Sequence, residues 1–204
     1  PLYPTEAPIL SDEGFIQDKT LQGLSLRDIA LSVLNKKGKQ VITHQMDMIF
    51  THFGISGPAV LRCSMFVHQT MKRDKSEEVV MSLDALPNVS KGELTQQLQQ
   101  LIKNDGDKST KNALKGLVPE RYLLFALVRA GLDENAPLKQ VPPEKITQFI
   151  EFIKDFRFTA NGTLPIEKAF VTGGGISTKE VNPKTMESKF TNGLFFTGEI
   201  ENCG

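Results

Sequence analysis

Tryptophan is absent from this 204-residue chain, and cysteine, tyrosine and histidine are scarce at two, two and three. The two cysteines, Cys63 and Cys203, form neither a disulfide framework nor a CxxC motif. They suit a reducing compartment, and the expected location is cytoplasmic. His44 and His68 have no second ligand at metal spacing, so no metal is assigned.

Long hydrophobic runs are missing as well. The longest uninterrupted one, Tyr122 to Val128, lies between Arg121 and Arg129 and falls far short of the roughly 20 residues that a bilayer crossing needs. Neither sign of charge is in excess, with 24 basic and 24 acidic residues and a pI near 7.3. That balance argues against a nucleic-acid or anionic-membrane partner. The dinucleotide fingerprint GxGxxG is incomplete, because Thr178 stands where a third glycine would follow Gly173 and Gly175. The chain opens Pro1-Leu2-Tyr3-Pro4, without Met or a signal-type segment, and is read as beginning inside a longer protein.

What is present is globular, with 39% hydrophobic and 24% charged residues and thirteen phenylalanines. From Gly14 to Thr51 apolar residues recur with a period near two, which predicts strands, and Asn35-Lys36-Lys37-Gly38 supplies a hairpin turn. Pro58, preceded by Ser56 and Gly57, is placed to start a helix. A strand is expected over 78–83. Ser90 and Glu93 form a capping-box pattern ahead of a helix running to about Asn104. Further helices are expected near 112–117, over 120–130 after Pro119, and from Pro142-Pro143, where Ile146, Phe149, Ile150 and Ile153 share one face. Strands return over 156–160 and 168–171, and Leu194 to Thr197 reads as a short buried strand.

Strands, then helices, then strands predict an α+β body. The helical stretch 85–157 carries eleven basic against nine acidic residues, which is a solvated face rather than an RNA groove.

Three motifs bear on chemistry. Thr172-Gly173-Gly174-Gly175 follows a strand and lets a backbone approach a flat ring or a pyrophosphate closely, although a glycine turn is more often plain punctuation. Gly193 to Glu199 reads as an apolar strand delivering Gly198 and a carboxylate, Glu199, able to accept hydrogen bonds from sugar or polyol hydroxyls. Thr51-His52-Phe53-Gly54-Ile55-Ser56-Gly57-Pro58 gathers an imidazole, a hydroxyl and two glycines around a helix start. For His52 a structural hydrogen bond competes with acid–base work, and Ser56 has no triad partners.

Taken together, THFGISGP, AFVTGGGISTKEVNPKTMESK and GLFFTGEI resemble the BaiN/YhiN-like flavoproteins, the aminoacetone-oxidase family of FAD-binding enzymes. The resemblance is dense over 41–64 and 166–200 and looser through the helices. It implies a Rossmann-type flavin domain interrupted by a small antiparallel β-barrel with an inserted α-helical subdomain. On that pattern 1–84 and 156–170 form the barrel insert, 85–155 the helical subdomain, and 171–204 a short Gly-rich piece of the flavin domain.

The resemblance further implies that Gly173, Gly174, Gly175, Gly198 and Glu199 approach the flavin, with Glu199 meeting ribityl or ribose hydroxyls. His52, Gly54 and Ser56 are the candidates for the substrate cavity. No catalytic residue is assigned. The family's N-terminal GxGxxG half is missing, and Ile200-Glu201-Asn202-Cys203-Gly204 replaces its usual continuation. FAD is therefore expected in the parent protein and not tightly bound to this chain alone. The expected partners are the remainder of that flavoprotein and a small-molecule substrate, with no nucleic acid and no membrane. The insert would cover the flavin and shape the substrate cavity of an oxidoreductase. The alternative is a non-catalytic protein- or RNA-binding module.

Overall fold

The computed structural model describes residues 2–197 and 201–202. Its centre is an antiparallel sheet of seven strands in the order β7-β6-β3-β4-β5-β2-β8. The long pair β3 (Ser25–Leu34) and β4 (Gln40–Phe50) forms the predicted hairpin, closed at Asn35 to Lys39 with Gly38 at φ 72°. Beside β3 lies β6 (Val79–Asp84), followed by β7 (Phe156–Ala160). On the other side β4 pairs with β5 (Gly54–Ser56), then β2 (Ile9–Leu10) and β8 (Gly162–Thr163).

The two edge strands, β7 and β8, are separated only by Asn161, so the sheet must curl until its ends meet. Beside this turn Asn161 N–H donates to the Leu10 carbonyl, and Ser11 Oγ donates to the Thr159 carbonyl, which ties the residue after β2 to β7. The expected antiparallel α+β architecture is present. The expected small β-barrel is not closed by pairing, since no ladder runs between β7 and β8 among the described residues.

Helix α2 (Pro58–Asp74) packs across β3 and β4. Pro58 occupies its first turn, Gly57 caps it at φ 99°, and Val60, Cys63, Ser64 and Val67 make its buried face. Between β6 and β7 come α3 (Lys91–Asp105), α4 (Thr110–Ala113), α5 (Glu120–Arg129) and α6 (Pro143–Lys154). Ser90 and Glu93 form the reciprocal capping box at the start of α3. The apolar face of α6 is buried as its spacing predicts, with Ile146, Phe149, Ile150 and Ile153 inward.

Sheet and helices share one hydrophobic core. Phe15 lies 5.5 Å from Phe125 and 5.4 Å from Phe156 between ring centroids, and Tyr122 lies 6.5 Å from Phe50. Phe15 and the strand residue Phe50 therefore pack against rings from α5.

Four local expectations are corrected. Residues Gly14–Gln17 form a helical turn, α1, rather than strand, because the adjacent Phe15 and Ile16 are both buried and a strand would turn one of them out. The short helix expected near 112–117 lies at Thr110–Ala113, and Gly116 at φ 91° breaks the chain before 117. Residues Ile166–Lys168 make a 3-10 turn begun by Pro165, and the strand starts later, as β9 (Val171–Gly173). Leu194 to Thr197 is not a buried strand: Phe195 makes one isolated bridge to Glu187, and Leu194 and Phe195 are exposed. A short apolar run needs flanking strands to become core, and here it has none among the described residues.

Candidate functional site

The glycine turn is set by a two-stranded ribbon. Strand β1 (Tyr3–Thr5) pairs antiparallel with β9, so that Tyr3 faces Gly173, and Thr5 Oγ1 donates to the Val171 carbonyl at 3.1 Å. A Cβ on Gly173 would stand 2.5 Å from both the Tyr3 ring and the Thr5 methyl, so any larger residue there would require these two side chains of β1 to shift. Gly174 (φ 86°) and Gly175 (φ 156°) take backbone conformations that side chains disfavour, and they turn the chain into β10 (Ile176–Ser177), which pairs parallel with β11 (Glu201–Asn202). The segment after β10 is a single 3-10 turn, Thr178–Glu180, not an α-helix whose N-terminus could hold a pyrophosphate. Gly198 and Glu199 lie outside the described residues.

The ribbon leans on α2 through Tyr3, whose ring centroid is 6.3 Å from that of His68. His68 Nε2 is 2.7 Å from the Thr163 hydroxyl, and burial lowers its pKa below the ordinary imidazole range.

The octet lies at the other end of α2. His52 is exposed, with its ring edge-on to Phe53 at 4.9 Å, and Ser56 ends β5 half-buried. Gly54 is buried at φ 152°, and a Cβ there would collide with the Ile9 carbonyl oxygen, so its smallness is used where β5 crosses β2. Gly57 has the same role against Met48 and Asp47. Ten residues of α2, about 15 Å, separate Pro58 from His68. The octet and the glycine turn thus occupy two stations on one helix rather than a single cluster.

A feature that the sequence did not reveal sits on the outer face of the sheet. Register aligns Thr43, Ser32, Ser82 and Arg157 in one row across β4, β3, β6 and β7. They line a polar cavity of about 350 Å³ together with Asp84, Lys154 and Asp155. Ser32 and Thr43 share a 2.7 Å hydrogen bond, and Ser82 Oγ donates to Asp155 at 2.6 Å. Burial works to raise the Asp155 pKa, but its hydrogen bonds from Arg157 and Ser82 prevail and hold it below the usual carboxylate range. The hairpin brings Thr43 to Ser32, but the rest of the row depends on pairings between residues 50 and 75 positions apart, which no local pattern encodes. Among the described residues no group of three His, Cys, Asp or Glu side chains converges, and no helix is long and apolar enough to cross a membrane.

Comparison with known proteins agrees with this architecture. Residues 3–171 match the family model described as the HI0933-like protein barrel and H2TH domain. The chain is similar to a ribosomal RNA dihydrouridine synthase of Escherichia coli strain K12, at 34% identity over 76% of the chain and 36% of that protein. It is similar to a protein of the same name from Haemophilus influenzae, at 29% identity over 98% of the chain and 46% of that protein. A 3-dehydro-bile acid delta(4,6)-reductase of Clostridium scindens is 26% identical over 80% of the chain and 40% of its own length. The chain thus spans less than half the length of these curated relatives. With the family model covering most of its residues, the chain belongs to the HI0933-like family and carries that family's barrel and H2TH domain.

Proposed function

We propose that this chain is the barrel-and-helix part of a flavin-dependent reductase that saturates a carbon–carbon double bond conjugated to a carbonyl. The observation that carries the reading is what the relatives' names have in common. Dihydrouridine is uridine with two hydrogens added across a ring double bond conjugated to a carbonyl, and a 3-dehydro bile acid has a ketone in conjugation with its Δ4 bond. Each reduction adds a hydride and a proton, and a reduced flavin is a hydride donor. The two relatives of higher identity favour a uridine in RNA as the substrate.

The described residues do not themselves form a dinucleotide cradle. They offer a glycine-lined edge at 173–175 with no phosphate-binding helix behind it. FAD is therefore assigned to the parent protein, and the isolated chain is inactive and colourless. The domain's task is to cover the flavin and shape the substrate cavity, with His52, Gly54 and Ser56 as candidates for its lining. Phe170, Phe190 and Phe195, all more than half exposed, support a contact between this segment and the remainder of the parent. The buried Cys63 thiol, pushed up to about 12 by desolvation, is inert and suits a reducing cytoplasm.

The test is a pair of visible spectra from the full-length protein and from these 204 residues, purified side by side. Flavin bands are expected in the first and not in the second. Adding RNA to the reduced full-length protein should reoxidise the flavin and yield dihydrouridine. A colourless full-length protein would overturn the reading.

A further inference from the structure

Net neutrality conceals a local concentration of positive charge. The tip of the β3–β4 hairpin carries Lys36, Lys37 and Lys39, all exposed. The last turn of α2 and its cap carry Lys72, Arg73 and Lys75, also exposed. The two elements are tied together, because Lys36 N–H donates to Asp74 Oδ2 at 2.9 Å while Arg73 Nε holds the other oxygen of that carboxylate at 3.0 Å. Six cations therefore share one end of the fold with a single enclosed carboxylate, Asp74, and with Glu77 and Glu78 beyond it. Among the described residues none of the five lysines has an ion pair.

This surface is built rather than loose. Asn35 Oδ1 accepts from Lys37 N–H at 2.9 Å and Lys39 N–H at 3.0 Å, and Gly38 N–H closes the turn on the Asn35 carbonyl at 2.8 Å. Lys75 caps α2 at φ 51°, in the left-handed conformation where glycine is normally preferred, so a cation is kept at a small backbone cost. Uncompensated like charges repel and lower the stability of the free protein. An anionic partner removes that cost.

We propose that the β3–β4 tip and the C-terminal end of α2 form a docking surface for the phosphate backbone of an RNA substrate. This rests on the reading that the parent reduces a uridine in RNA. Among the described residues the cation–π contacts belong to Arg129 and none to these six cations, so the contact positions the RNA rather than reading its bases. The 17 residues of α2, about 25 Å long, separate this patch from the octet at the other end of the helix. That length is suited to a macromolecular substrate gripped at a distance from the base that reacts.

The test uses the full-length protein with Lys36→Gln, Lys37→Gln and Lys39→Gln combined, and Lys103→Gln with Lys115→Gln as a control on the helical side. The probe is a labelled RNA stem-loop with uridines in its loop, titrated at several salt concentrations. The hairpin variant is expected to lose at least about tenfold in affinity near physiological salt, and its slope of log K against log salt should fall by about 2 to 3. KM for RNA should rise with kcat unchanged, and the control should bind like the unaltered protein. Unchanged RNA affinity in the hairpin variant would overturn the docking surface, as would an equal loss in the control. So would hairpin-dependent binding to anionic phospholipid vesicles without RNA binding. Because the flavin spectrum is recorded on the same samples, failure of the reductase reading would show as missing flavin bands, independently of the RNA titration.

Discussion

Lys154 Nζ stands 2.7 Å from Asp84 Oδ2 and 2.6 Å from the carbonyl oxygens of both Leu86 and Val89. All three ammonium protons are thereby used, and the last residue of α6 is fastened to the end of β6 and to the loop entering α3. The ammonium is largely buried, with its side chain 12% exposed.

Replacing Lys154 with Met keeps the aliphatic stem but leaves one carboxylate and two carbonyls without their donor. The expected cost is about 2 to 4 kcal/mol, read as a lower urea midpoint of the full-length protein. Lys91→Met is the comparison. Its pair with Glu151 is solvent-exposed, and it should cost less than about 1 kcal/mol.

The burial of His68 makes stability depend on pH. His68 titrates below its ordinary 6.5 in the folded protein because burial disfavours the imidazolium. The unfolded chain then binds the proton more readily, so stability rises with pH through the window between the lowered value and 6.5, and below that window the loss is complete. The lowered carboxylates Asp74, Glu93, Glu120 and Asp155 titrate beneath their ordinary 3.8 to 4.5, below a comparison of pH 5 with pH 7.5. The denaturation midpoint should therefore be lower near pH 5 than near pH 7.5, and His68→Gln should remove most of the difference. An equal difference in both proteins would show that His68 is not its source.

Much of the architecture was legible because its signals are local. Ser90 and Glu93 announce α3, Pro143 announces α6, and Asn35 to Gly38 announce the hairpin. Features that depend on distant residues were not legible. The row from Thr43 to Arg157 exists only once four strands are in register. The basic end of the fold was hidden twice, first by a net charge of zero and then by the 33 positions between Lys39 and Lys72, which Asp74 closes in space. Leu194 to Thr197 misled for the opposite reason, since its apolar pattern is that of core but its neighbours in the fold do not cover it.

Gly54 offers a clean separation of structural from chemical roles within the octet. Alanine at this position combines φ 152° with a collision against the Ile9 carbonyl, which belongs to backbone and cannot swing away. Gly54→Ala should cost about 2 kcal/mol or more, measured by denaturant unfolding. His52→Ala, at an exposed ring, should change stability by no more than about 0.5 kcal/mol. Any loss of flavin reoxidation by substrate in His52→Ala would then report on chemistry, whereas a loss in Gly54→Ala would follow the unfolded fraction.

Tyr122 carries the converse lesson about polarity in the core. Its ring is fully buried among Phe50, Phe125 and Phe152, and its hydroxyl has no hydrogen-bond partner among the described residues. Desolvation, reinforced by the Asp84 carboxylate, raises its pKa far above the ordinary phenol value. A buried hydroxyl without a partner forfeits its bonds to water and gains nothing in return, so Tyr122→Phe should be neutral or stabilise the protein by up to about 1 kcal/mol. Tyr122→Ala, which empties the space between α5 and the sheet, should cost about 3 to 5 kcal/mol. A marked loss of stability in Tyr122→Phe would mean that the hydroxyl has a partner in solution, and the Asp84 carboxylate is the group whose replacement by Asn would test that.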